Sequence, residues 1–136
     1  MATSCLDANV LLRLILQDVP EQYERAKRLI SSVPDTFYVS DAALNEAVFA
    51  LQNHYALSRN QIADMVKWVL TLPTIVGEYD TVRAALDAYQ THPQLSYADC
   101  YFAEEAARLA MLPLWTFDKK LARQHPHAQE VPYGDV

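Results

Sequence analysis

"TSCLDANVLLRLILQ", residues 3–17, decides the fold. Its opening five residues, "TSCLD", read as a short buried strand that ends on an acid. "NVLLRLILQ" follows at once, with apolar residues on most of its circumference and neither Gly nor Pro, and reads as a helix packed into a core. A strand that runs straight into an apolar helix is the first half of a strand–helix–strand crossover, the unit from which parallel sheets are built.

The same alternation repeats outward from this stretch. "PEQYERAKRLISS" is amphipathic and begins with Pro20, a good first-turn residue. "TFYVS" (36–40) is β-branched and aromatic, a second strand, and Ser40 or Asp41 caps a helix reaching about Tyr55. Ser58 and Gln61 form a capping-box pattern before "IADMVKWVLTL", which Pro73 ends. "TIVGE" (74–78) is a third strand, after which Asp80 can cap "TVRAALDAYQ". A helix at 96–110, a fourth strand "LPLWTF" (112–117), a short helix "KKLARQ" and an edge strand "AQEVPY" that tolerates Pro132 complete the chain. The pattern predicts a three-layer α/β/α fold with a central, mainly parallel sheet of four to five strands, as one domain over residues 1–136.

Composition narrows the class. The chain has 136 residues, enough for one domain with its own core; 51% are hydrophobic and 21% charged, as in a globular protein. No apolar run approaches the roughly 18–20 residues of a bilayer span, and "MATSCLDANV" lacks a basic start and apolar stretch of a secretory signal, so the expected location is the cytoplasm. Cys5 and Cys100 lack CxxC spacing and are expected to be buried free thiols in a reducing compartment. The net charge of −6 argues against a broad basic face for DNA. Two local cation groups, Arg25 with Lys27 and Arg28, and Lys119 with Lys120 and Arg123, read by themselves as solvated helix faces. Only two glycines are present, so no GxGxxG or Walker loop exists to cradle a phosphate.

Four acids stand out against this background. Ligands of open parallel sheets sit beyond the carboxyl ends of the strands. Asp7 ends the first strand, Asp118 follows the fourth, Asp99 opens a helix, and Glu46 lies in the second turn of the helix after the second strand. In "LSYADCYFAEEAARLA" (95–110), Asp99 falls inside the stripe formed by Ala98, Phe102, Ala103, Ala106, Leu109 and Ala110. Asp7 and Asp118 have a simpler reading as helix caps, and Ser96 with Asp99 resembles a capping box. Glu46 is the lone charge in "AALNEAVFALQNHYALS", a helix expected to be buried, where a carboxylate needs a partner. Four carboxylates sharing one rim would repel one another unless a divalent cation neutralised them, and an all-oxygen set points to Mg²⁺ or Mn²⁺.

The segments "CLDANVLLRLIL", "SDAALNEAVFAL", "LSYADCYFAEEA" and "LPLWTFDKKLAR" resemble, in order, the PIN-domain ribonucleases, most closely the VapC-type toxins of type II toxin–antitoxin pairs, from about residue 4 to 123. The resemblance implies metal-binding acids at Asp7, Glu46, Asp99 and Asp118, with Asn9 matching the polar residue of a D-x-N start and Thr116 a supporting hydroxyl. It implies metal-dependent endonucleolytic cleavage of RNA, a cognate antitoxin that inserts peptide into the active-site groove, and homodimers. Ala8 departs from the family, which often has Thr or Ser there. Arg13, Lys119 and Lys120 are candidates to contact the RNA backbone, against a simpler reading as solvated charge.

Two other classes share this architecture. An aspartyl-phosphate phosphatase would want a second Asp where Asn9 stands, and a phospho-receiver domain would want paired N-terminal acids. A non-catalytic binding module would use the acids as caps and present aromatic residues such as Tyr23, Trp68, Tyr89 and Tyr101 to a partner.

Overall fold

Parallel strands that run into helices recur through the computed structural model, which describes residues 2–134. The chain forms two compact units that meet in sequence between Tyr79 and Asp80.

The N-terminal unit carries β1 (Thr3–Leu6), α1 (Ala8–Leu16), α2 (Pro20–Ile30), β2 (Thr36–Val39), α3 (Asp41–His54), α4 (Arg59–Val69) and β3 (Ile75–Val76). Its strands are all parallel in the order β1-β2-β3, with Leu6 opposite Val39 and Phe37 opposite Ile75. α1 packs against α2, α3 and α4, and Leu11, Leu44, Leu51, Ile62, Val66 and Val69 are fully buried. Each such side chain contributes about 1.5–3 kcal/mol by leaving water. Local chemistry sets the helix ends as expected. Pro20 opens α2, the Ser40 side chain accepts from the Ala43 N–H, and Ser58 with Gln61 makes both bonds of a capping box. Tyr79 ties the sheet: its hydroxyl accepts from the Val39 N–H at 3.0 Å and donates to the Val76 carbonyl at 2.9 Å.

The C-terminal unit carries α5 (Asp80–Thr91), α6 (Tyr97–Arg108), β4 (Leu114–Thr116), α7 (Lys119–Gln124) and β5 (Ala128–Glu130). α5 and α6 pack on each other, Leu86, Tyr89, Leu95, Cys100 and Ala103 are buried in this unit, and the Tyr89 and Tyr97 rings meet edge to face. β4 and β5 pair in parallel, with Leu114 opposite Ala128.

The parallel α/β class is therefore as expected, while the five described strands are shared as a three-stranded and a two-stranded sheet, one in each unit. Three local expectations need correction. β1 is not a buried strand: only Leu6 is covered, because β1 pairs on one side alone within its sheet. Cys5, one residue from Leu6 and hence on the opposite face of the strand, is exposed, whereas Cys100 is buried as expected. Asp80 does not cap α5 but is its first residue.

Candidate functional site

Asp7 stands at the junction where β1 becomes α1. Its backbone is extended, and its Oδ1 accepts from the Val10 N–H at 3.1 Å, so the cap reading is correct. A cap engages one carboxylate oxygen; the side chain is exposed and its other oxygen remains for a second ligand. Asp7, Asn9 and Glu46 line a cavity of about 270 Å³ whose remaining walls are Ala8, Leu12 and Ala50. Among the described residues, no cationic side chain is in that wall. The geometry supplies two carboxylates and an amide, all oxygen donors, which is the chemistry a hard divalent cation takes.

Glu46 corrects the sequence expectation. α3 buries Leu44, Ala47, Val48 and Leu51 and leaves Asn45, Glu46 and Phe49 exposed. The buried stripe is narrow, at i, i+3, i+4 and i+7, so a helix apolar on most sides still has a wet face, and Glu46 sits on it without an ion pair among the described residues. Its charge is solvated rather than buried.

On the other side of Asp7 and Asn9 lies a larger cleft of about 400 Å³, walled by α1 and α2. Arg13 lines it but is not a solvated charge: its guanidinium donates to Asp18 at 2.9 Å and to the Tyr55 hydroxyl at 3.3 Å, with the side chain 16% exposed. Gln22 and Arg25 also line this cleft. Nothing in the sequence pattern singled out Gln22; the short link between α1 and α2, which folds them against each other, was the available signal.

In the C-terminal unit Asp99 is the third residue of α6. Its N–H donates to the Ser96 hydroxyl at 3.1 Å, the Ser96 half of the capping box that was expected. The apolar stripe assigned to this helix is not the buried one. Tyr97, Cys100 and Ala103 are buried, Phe102 and Leu109 are 51% and 44% exposed, and Asp99 is half-buried beside the covered face. The covered face of α6 is built from Tyr97 and the small residues Cys100 and Ala103, which allow close packing on α5.

Asp118 caps α7: its Oδ1 accepts from the N–H groups of Lys120 and Leu121 at 2.9 and 3.1 Å. Thr116 holds the same turn, its hydroxyl accepting the Asp118 N–H at 2.9 Å. Lys119 donates to the Tyr133 hydroxyl at 2.9 Å and approaches Glu130 at 3.8 Å, so it is tethered, while Lys120 is exposed. Among the described residues, Asp7 and Glu46 are thus brought to one cavity, and within neither unit do three or more His, Cys, Asp or Glu side chains gather as a metal-holding group.

The C-terminal unit also holds a polar pair that sequence reasoning did not find. The His125 ring is buried and lies 3.1 Å from Glu104 of α6, while its Nδ1 accepts from the His127 N–H at 3.1 Å. Nδ1 is therefore the unprotonated nitrogen and Nε2–H donates to Glu104. Burial pushes the His125 pKa below its ordinary value; Glu104 opposes this, and His127 and His92 add to the lowering.

No helix among the described residues is long and apolar enough to cross a membrane. No curated protein matches the sequence. Among solved structures, the chain is similar to one in the crystal structure of VapBC2 from Rickettsia felis bound to a DNA fragment from their promoter. The two are 15% identical, with 96% of this chain and 98% of that one covered at a TM-score of 0.39. The family model of the PIN domain matches residues 4–125, which takes in both Asp7 and Asp118. The chain belongs to the PIN-domain family.

Proposed function

We propose that this chain is a metal-dependent endoribonuclease, the toxin of a type II toxin–antitoxin pair, acting as one PIN domain over residues 1–136. Its metal ligands are Asp7, Glu46, Asp99 and Asp118, and its cation is Mg²⁺ or Mn²⁺. PIN domains are in general nucleases that use divalent cations. The observation that carries the reading for this member is the cavity that Asp7 and Glu46 share, free of any lining cation. The VapC-type assignment rests on the four sequence segments that resemble those toxins, and with it come a cognate antitoxin that occupies the groove, a homodimer, and a cytoplasmic location.

The bound cation would activate a water and neutralise the phosphoryl oxygens. This chain's residues do the rest. Asp7 keeps one oxygen on the Val10 N–H, which holds the side chain in place at the cavity wall and leaves the other oxygen for a ligand. Asn9 offers an uncharged donor and acceptor beside it, able to hold a phosphate oxygen or a ribose hydroxyl. Thr116 fixes the turn that presents Asp118. Hydrolysis assisted this way leaves a 5′ phosphate and a 3′ hydroxyl.

The test is cleavage of a mixed RNA pool by the purified chain with Mg²⁺, with Mn²⁺ and with EDTA, beside Asp7→Asn, Glu46→Gln and Asp99→Asn. Metal-dependent cuts bearing 5′ phosphates and lost in the variants are the expected result. Cuts that persist in EDTA, or no cuts together with a melting temperature that metal does not move, would mean that the acids are caps and solvated charges only.

A further inference from the structure

The cleft beside Asp7 has a division of surfaces that suits one nucleotide. Val10, Ala26 and Leu29 give it an apolar wall, and Gln22 and Arg25, neighbours one turn apart on α2, give it a polar edge. Its volume of about 400 Å³ falls within the range of small-ligand sites. Asp7 is the one acid among the described residues that line it, so the cleft opens onto the carboxylate assigned to the metal. Its two cations differ. Arg13 is fixed by Asp18 and Tyr55, whereas Arg25 is held only by Glu21 at 3.3 Å, with side chains 68% and 71% exposed. An ion pair that exposed is weak, so the Arg25 guanidinium is free to turn to a ligand.

We propose that this cleft binds the nucleotide flanking the scissile phosphate, and that Gln22 and Arg25 select a purine there. The proposal rests on the nuclease reading. The apolar wall takes the face of the base, as apolar and aromatic surfaces do for unstacked nucleotides. The edge is then read by chemistry that only purines offer: an amide pairs with N6 and N7 of adenine, and a guanidinium with O6 and N7 of guanine. Pyrimidines lack the N7 acceptor, which makes the pair of residues selective for the larger bases.

The experiment compares the full chain with Gln22→Ala, Arg25→Ala and the double variant on a random single-stranded RNA library, sequencing every new 5′ end. Both residues are exposed on α2, so unchanged melting temperatures verify that the variants fold. The wild type is expected to show a purine at one position beside the cut, and the double variant to relax that preference about tenfold or more. A second arm measures fluorescence anisotropy of short purine and pyrimidine strands in EDTA, where no cleavage is needed. There the wild type should favour purines and the double variant should not. Cutting with no flanking preference, or with one that the variants retain, overturns this proposal and leaves the nuclease reading standing. A wild type that cuts nothing and whose melting temperature metal does not move overturns the nuclease reading. The anisotropy arm then decides the cleft alone, a Gln22- and Arg25-dependent purine preference supporting it and its absence overturning it.

Discussion

Acidification should destabilise the C-terminal unit through one side chain, His125. The ring is 3% exposed and is held by two bonds of opposite kind, Nε2–H donating to Glu104 and Nδ1 accepting from the His127 N–H. A second proton has nowhere to go except Nδ1, where it would face the His127 N–H and break that bond. The unfolded chain has no such restriction and takes up the proton near pH 6.5. The folded pKa is lowered, so the contribution of neutral His125 is complete above about pH 6.5 and is lost as pH falls toward the folded value. The ceiling follows from linkage. The slope for one proton is about 1.4 kcal/mol per pH unit, so between pH 7.5 and 5.0 a ring that stayed neutral throughout would cost about 2 kcal/mol. The opposing pull of Glu104 makes the observed loss smaller than that ceiling. Urea unfolding across this range, for the wild type and for His125→Gln, isolates the effect, because Gln keeps a donor for Glu104 and does not titrate. The wild type is expected to lose more stability than the variant on acidification. Equal slopes would show that His125 does not bind its proton differently in the two states. A wild type that gains on the variant as pH falls would show that His125 is protonated on both ring nitrogens and forms a charged pair with Glu104.

Asp118 carries two assignments that separate by substitution. Asp118→Ala removes the acceptor of two N–H groups and should cost about 1 kcal/mol in thermal or urea unfolding. Asp118→Asn keeps an acceptor at the cap, so it should leave stability nearly unchanged while abolishing metal-dependent RNA cleavage. Tyr79→Phe deprives the Val39 N–H and the Val76 carbonyl of their shared hydroxyl and should cost about 1–3 kcal/mol by urea unfolding. Gly77 has φ +150°, and a Cβ there would stand 2.7 Å from the Tyr79 ring, so Gly77→Ala should destabilise by at least about 1 kcal/mol. If that variant unfolds at the wild-type urea concentration, the Tyr79 packing described here is wrong.

Local signals carried the fold because they are written in a few adjacent residues. The cap at Asp7, the capping box at Ser58 and Gln61, and the opening of α2 at Pro20 each depend on side chains within four residues of the backbone they satisfy, and each is realised. Burial was legible only where spacing fixed it. α3 and α6 carry apolar residues on more faces than they bury, and which face is covered depends on partners far along the chain. That is why Glu46 was expected in a core and stands in water, and why Asp99 was placed in a stripe that is partly exposed. The consequence for the site is physical. A carboxylate forced into apolar surroundings needs its cation to fold, whereas Glu46 on a wet face does not. Metal binding at Asp7 and Glu46 should depend on ionic strength more than on folding, and removing the metal should cost activity before it costs stability.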